Sequence, residues 1–303
     1  MSTTATALAP ESIPDAPAAF RAIRSRGMWD RLRPALLSPP IMASLIFLAG
    51  ITLVAIVVPL LPVPDPDAQS VLFRLKGPSG VHWLGTDRLG RDVMSRVLWG
   101  SRVSLVVGFS VVAISGTAGT LLGLVSGYYD NWLSQLIMRV VDMVLAFPPL
   151  ILALVVVTVM GDSLQNVVWA ISITAIPRFT RLARSSILAI REREYVAAAR
   201  SIGARTASIM FKQVLLNAID PLIVVSTLAV PGAILTEALL SFLGHGVVPP
   251  TPTWGNMIND GRLVLQGGPW LTIFPGIAIV LTVMAFNLIG DAVRDALDPS
   301  VSD

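Results

Sequence analysis

Six runs of apolar residues, at about 41–61, 101–126, 134–160, 166–187, 213–242 and 271–291, divide this chain of 303 residues. Each is close to or above the roughly 20 residues that a helix needs to cross about 30 Å of hydrocarbon. Within a bilayer no water is present to pair with a backbone N–H or C=O, so a crossing segment has to satisfy its own polar groups by coiling. The expected fold class is therefore an all-α polytopic membrane protein with six transmembrane helices. Composition agrees: 14% of residues are charged, against about 25% in ordinary soluble domains. The fifth run carries Pro221 and Pro231 and is predicted to be kinked or broken.

The segments between the runs set an expected organisation. Residues 1–40 are Ala/Pro/Ser-rich and then basic, with Arg21, Arg24, Arg26, Arg31 and Arg33. They read as a partly disordered cytoplasmic tail leading to the first span, and residues 1–20 lack the pattern of a signal peptide. Residues 62–100 read as an extracytoplasmic connection, 101–291 as a core with five spans and a polar loop at 188–212, and 292–303 as a cytoplasmic tail. Lys and Arg favour the inner side, and residues 178–212 are dense in them. This places both termini inside. The connection 62–100 runs against the rule, with Arg74, Lys76, Arg88, Arg91 and Arg96, but Asp65, Asp67, Asp87 and Asp92 lie among them.

The chain has no Cys, which excludes disulfides, thiolate metal sites and Cys nucleophiles. His82 and His245 both lie outside the apolar runs. There is no phosphate loop of the Gly-x-x-x-x-Gly-Lys-Ser/Thr type, no Gly-x-Ser-x-Gly elbow and no His-Glu-x-x-His pair. No enzymatic activity, cofactor or metal is expected in this chain. Its net charge of +3 comes from Arg beside the spans, so nucleic acid is not an expected partner, whereas the lipid bilayer is.

Within the runs, Ser115, Gly119, Gly123 and Gly127 form a stripe of small residues at i+4 spacing, which lets a second helix approach closely in lipid. Asp142, Asp220 and Glu237 are the ionisable groups in or near the spans. A charge within a membrane is costly, so Asp142 and Glu237 are candidates for a transport pathway or for a helix interface. Arg178, Arg181 and Arg184 recur every three residues and read either as interfacial anchors or as contacts to a cytoplasmic partner.

Arg191–Arg200 has strong helix formers and neither Gly nor Pro, and Gly203 then ends the helix. A second short helix at about 205–212 would make an elbow lying on the membrane. Ala197, Ala198 and Ala199 would let another protein's surface come near. A greasy chain that interrupts itself with a charged helix points to a soluble partner docking there.

These residues resemble the coupling loop of the membrane-spanning subunit of ATP-binding-cassette importers. That loop reads Glu-Ala-Ala, three residues, Gly, nine residues, then Ile-x-Leu-Pro. Ala198, Ala199, Gly203 and Leu215 match it, while Ala197, Gln213 and Leu216 depart from it. The chain is further similar to the C-type permease of the dipeptide/oligopeptide/nickel branch. That similarity rests on His82-Trp83-Leu84-Gly85-Thr86-Asp87 with Gly90-Arg91-Asp92, on Glu194-Tyr195-Val196, and on Ser241-Phe242-Leu243-Gly244. Pro249-Pro250-Thr251-Pro252 with Trp254-Gly255, and Gly290-Asp291 with Leu297-Asp298-Pro299, extend it.

The resemblance implies a type I importer permease fold with cytoplasmic coupling helices, in a bacterial inner membrane. It implies that Glu194, Tyr195, Ala198, Ala199, Arg200 and Gly203 couple to the motor. The implied partners are a second permease subunit in a heterodimer, two cytoplasmic ATPase subunits that bind ATP and Mg, and an extracytoplasmic solute-binding protein. Pro250, Pro252 and Trp254 are expected to contact that binding protein. Transport would proceed by alternating access, with a dipeptide or oligopeptide as cargo ahead of glutathione or a nickel complex. The other reading is a secondary transporter driven by an ion gradient, which would want an ion site near the midplane. Only Asp142 approaches that.

Overall fold

The computed structural model describes residues 37–297. Of the tails expected at 1–40 and 292–303, residues 1–36 and 298–303 lie outside the described residues, while 292–297 continue the last helix. Nine helices carry the fold among the described residues: α1 (Pro39–Val57), α2 (Val93–Tyr128), α3 (Trp132–Leu145), α4 (Pro149–Met160), α5 (Leu164–Arg191), α6 (Glu194–Ser201), α7 (Ile219–Phe242), α8 (Trp254–Arg262) and α9 (Trp270–Leu297). Between α6 and α7 a turn at Thr206–Ser208 runs into a π-helical segment, Ile209–Leu215. No strand is present among the described residues, only a bridge between Thr86 and Asp92.

The helix starts are written locally. Asp92, Asn131, Ser163 and Thr253 each precede a helix and accept a hydrogen bond from a backbone N–H three residues on. Such a side chain satisfies one of the donors that a helix N-terminus leaves free. Gly161 ends α4 at φ +90°, a conformation that costs glycine little.

Four segments are long and apolar enough to cross a bilayer: Pro39–Leu60, Val93–Tyr128, Ile219–Phe242 and Trp270–Leu297. α5 has the length, at 28 residues, but Arg178, Arg181 and Arg184 make its second half too polar to read as a simple span. The run expected as one helix over 134–160 is instead two, α3 and α4, bent by 93°. The cause is Phe147-Pro148-Pro149. Each proline lacks an N–H, and the residue before a proline is pushed out of the helical region.

Two further boundaries differ from expectation. Residues 93–100, assigned above to the connection, already belong to α2. The fifth run breaks before Ile219, not at a proline. Pro221 sits in the first turn of α7, where no N–H is required, and Pro231 lies inside a continuous helix.

α2 is the centre of the packing. At 36 residues it is about 54 Å long. Along it, Gly119, Gly123 and Gly127 meet successively Ile176–Thr180, Thr180–Arg184 and Arg184–Ile187, so α5 runs parallel to α2. Gly108 meets Val230 and Ile234, and Gly116 faces Ser226, so α7 runs antiparallel to it. Because α2 and α5 point the same way, the chain has to travel back between them. α3 and α4, bent as they are, make that return.

Candidate coupling surface and transport cavities

α6 has two unlike sides. Val196 and Ala199 are buried in a cluster with Leu124 of α2, Ala183 and Ile187 of α5, and Ile209, Met210 and Val214 of the π-helical segment. Glu194, Tyr195, Ala197, Ala198 and Arg200 face outward. The spacing of 196 and 199, three residues apart, is that of one helical face. Ala199 thus belongs to the chain's own core, which corrects the expectation that all three alanines face a partner. Arg200 stacks over the ring of Tyr128, 5.5 Å from its centroid. Gly203 follows at φ +74°, with its N–H bonded to the Arg200 carbonyl and that of Ala204 to the Ala199 carbonyl. This pair of bonds is a Schellman end. Ile202, beside it, is 85% exposed. Gln213 and Leu216 stand in and just after the π-helical segment that leads to α7.

Two arginines of α5, one of them at its junction with the elbow, bind the end of α2. Arg191 Nη1 donates to the carbonyls of Gly127 (2.9 Å) and Tyr128 (3.3 Å), and Arg184 Nε donates to that of Ser126 (3.3 Å). Both occupy the C-terminal end of α2, where the last carbonyls lack helical partners and the helix dipole favours a cation. The sequence offered only a dense run of Arg here, without indicating which of them close another helix.

The stripe on α2 divides in use. Gly119, Gly123 and Gly127 lie directly against α5, whereas Ser115 lines a cavity of about 430 Å³ between α2, α5 and α7. Arg178 and Arg181 also line this cavity. Arg181 Nη2 binds Asp142 Oδ1 at 2.6 Å across from α3, and both side chains are more than half exposed. Asp142 is therefore tied to the cavity rim through Arg181. Of the two expectations for Glu237, pathway or helix interface, its position fits the second. It is wholly buried between α7 and the start of α8, where Oε1 accepts a hydrogen bond from Ser241 Oγ at 2.7 Å. Thr253 Oγ1 in turn bonds Ser241 Oγ at 3.3 Å.

The binding-protein contact expected at Pro250, Pro252 and Trp254 is smaller than the sequence suggested. Pro249, Pro250 and Thr251 are exposed, but Pro252 is buried and Trp254 is completely so. Trp254 Nε1 donates to the Val97 carbonyl at 3.0 Å, and its ring fills the space that Gly100 leaves open on α2. A tryptophan with a buried partner for its N–H serves as core. Trp254 and Pro252 are therefore part of the core and not of the exposed surface expected for them.

Three of the five basic residues that broke the charge rule, Arg88, Arg91 and Arg96, are paired with carboxylates. Arg91 pairs with Asp87 at 2.6 Å, both buried, and with Asp260 of α8 at 3.6 Å. Arg88 also reaches Asp260 (3.7 Å), and His82 Nδ1 lies 2.8 Å from Asp92. Arg96 binds Asp67 (3.2 Å) and the carbonyls of Pro66 (2.8 Å) and Pro250 (3.5 Å). Trp270 Nε1 donates to the Thr86 carbonyl at 3.1 Å. The connection is a folded cap bolted to α2, α8 and α9.

Residues 119–303 match the family described as binding-protein-dependent transport system inner membrane component. The chain belongs to this family. Among curated relatives of this permease, the dipeptide transport system permease protein DppC of Alkalihalophilus pseudofirmus is 45% identical, over 85% of this chain and 84% of that one. The glutathione transport system permease protein GsiD of Pectobacterium atrosepticum is 46% identical, over 75% of each. The di/tripeptide transport system permease protein DppC of Pseudomonas aeruginosa is 43% identical, over 86% of this chain and 88% of that one. Among solved structures, a chain of an inward-facing MetNI methionine ABC transporter superposes with a TM-score of 0.56 at 17% identity, covering 67% of the permease and 97% of that chain. It has the same fold, the type I importer permease fold.

Proposed function

We propose that this permease forms half of the translocation path of an ATP-driven importer of small peptides. A second permease subunit completes the path, two cytoplasmic ATPase subunits drive it, and an extracytoplasmic binding protein delivers the cargo. Both termini then lie in the cytoplasm, the cap over α2, α8 and α9 lies outside, and ATP chemistry belongs to the partner subunits. The relatives named for dipeptide, di/tripeptide and glutathione transport support peptide cargo.

The observation that carries the coupling role is the two-sidedness of α6. Its outer face, Tyr195, Ala198 and Ile202, is free for a motor subunit. Its inner face, Val196 and Ala199, sits on α2 and α5. Arg191, the last residue of α5, and the Arg200–Tyr128 stack of α6 tie both helices to the end of α2. A displacement of α6 is thereby passed to the α2–α5 pair, whose backbones are in contact and move as one body. Closure of the ATPase dimer would tilt that body and expose the cavity to the other side.

The test is uptake of a labelled dipeptide into vesicles holding the full complex. Uptake should require internal ATP in the motor compartment and the cognate binding protein. Uptake driven by a proton or sodium gradient without either would overturn the reading.

A further inference from the structure

The 430 Å³ cavity is lined mostly by apolar side chains, and its polar groups are nearly all committed. Ser115 Oγ donates to the Val111 carbonyl (2.6 Å), Thr174 Oγ1 to that of Ile171 (2.8 Å) and Thr236 Oγ1 to that of Gly232 (2.8 Å). Arg181 is held by Asp142. Arg178 is the one charged lining residue with no ion pair or hydrogen bond among the described residues, and it is exposed. It also lines a second cavity, of about 410 Å³, whose other charged groups are Asp220 and Arg294. Arg178 therefore stands where an apolar chamber meets a charged one.

We propose that Arg178 is a substrate-binding residue of the path, receiving the terminal carboxylate of a peptide as it passes between the two cavities. A guanidinium offers two parallel N–H donors that match a carboxylate, and an apolar wall strengthens the pairing by excluding water. Cavities of this volume suit a ligand of dipeptide size. The apolar chamber takes the side chains, and Arg178 takes the one group that every such peptide carries. The neighbouring Arg181, neutralised by Asp142, keeps the site from holding the anion too firmly to release. This rests on the importer reading above.

This chain has no cysteine, so in the assembled transporter labelling read on this subunit reports only an introduced thiol. Ala229→Cys places a single thiol in the chamber. With Arg178 present, an anionic methanethiosulfonate should label it several-fold faster than a cationic one, and Arg178→Gln should abolish that preference. In vesicles, Arg178→Gln should lower peptide uptake per ATP hydrolysed by about tenfold, the size of one charge-assisted hydrogen bond, while Arg178→Lys, which keeps the charge but not the paired donors, should retain only part of it. Equal uptake by Arg178→Gln, an unchanged reagent preference, or a thiol that neither reagent reaches would each overturn the proposal. A preference that comes and goes with the phosphatidylglycerol content of the vesicles would assign the guanidinium to a lipid headgroup instead. If the wild-type complex takes up no peptide with ATP and binding protein, it is the importer reading that fails, and the labelling comparison still reports on Arg178.

Discussion

Gly123 and Ala183 are in backbone-limited contact: a Cβ on Gly123 would lie 2.4 Å from the Cβ of Ala183 and 2.8 Å from the Thr180 carbonyl oxygen. No flexible side chain stands between the two helices to give way. Gly123→Ala should therefore push α2 off α5 and cost about 1–3 kcal/mol, with Gly123→Leu worse. Ala183→Gly should return part of that loss in the double variant, because residues in contact do not behave additively. Thermal unfolding of the purified complex measures both. An unshifted midpoint for Gly123→Ala would remove the close packing from the account.

The stripe could be read in advance because small residues at i+4 have few other uses in lipid. Its partner could not, since α5 answers it with Phe179, Ala183 and Ile187, only one of which is small. The bend at Phe147-Pro148-Pro149 was also written in the chain, but the apolarity on both sides hid it within one long run. Trp254 misled for a different reason. A tryptophan after a proline-rich stretch looks like a surface anchor, and its burial depends on Gly100 and the Val97 carbonyl, more than 150 residues away in sequence. The inward face of α6 is spelled in Val196 and Ala199, where alanine is too small to mark a side.

The cap should depend on the Asp87–Arg91 pair. Asp87 Oδ1 accepts from the N–H groups of Leu89 (2.8 Å) and Arg91 (2.9 Å), while Oδ2 takes the Arg91 guanidinium. Removing one partner of a buried pair costs about 3–5 kcal/mol. Asp260 still reaches Arg91, so Asp87→Ala is expected at the lower end of that range. Limited proteolysis of the complex should then cut within 62–92 faster than in the wild type. Equal cutting rates would mean that the turn holds without the pair.

Thr251 and Trp254, three residues apart, should respond oppositely to change. Trp254→Ala empties a fully buried site and should cost about 3–5 kcal/mol, seen as a lower unfolding midpoint. Thr251→Cys, on the exposed segment, should leave stability unchanged and react with an impermeant maleimide added from outside. Labelling from the cytoplasmic side alone would invert the proposed orientation.

The coupling elbow separates a backbone requirement from a surface one. Gly203 holds φ +74°, and a Cβ built there meets no atom within 4 Å. A side chain is thus opposed only by conformational strain, about 1–2 kcal/mol for most residues and less for asparagine. Gly203→Asn should preserve the turn, whereas Gly203→Val should unwind the end of α6. Ile202 is the complementary case: it contributes nothing to the core, yet it is a large apolar side chain held out in water. If a motor subunit buries it, Ile202→Ala should weaken co-purification of the ATPase about tenfold or more, the effect of losing one central interface contact. The permease itself should remain inserted and as stable as the wild type. Full ATPase recovery with Ile202→Ala, together with full uptake by Gly203→Val, would move the docking site away from this elbow.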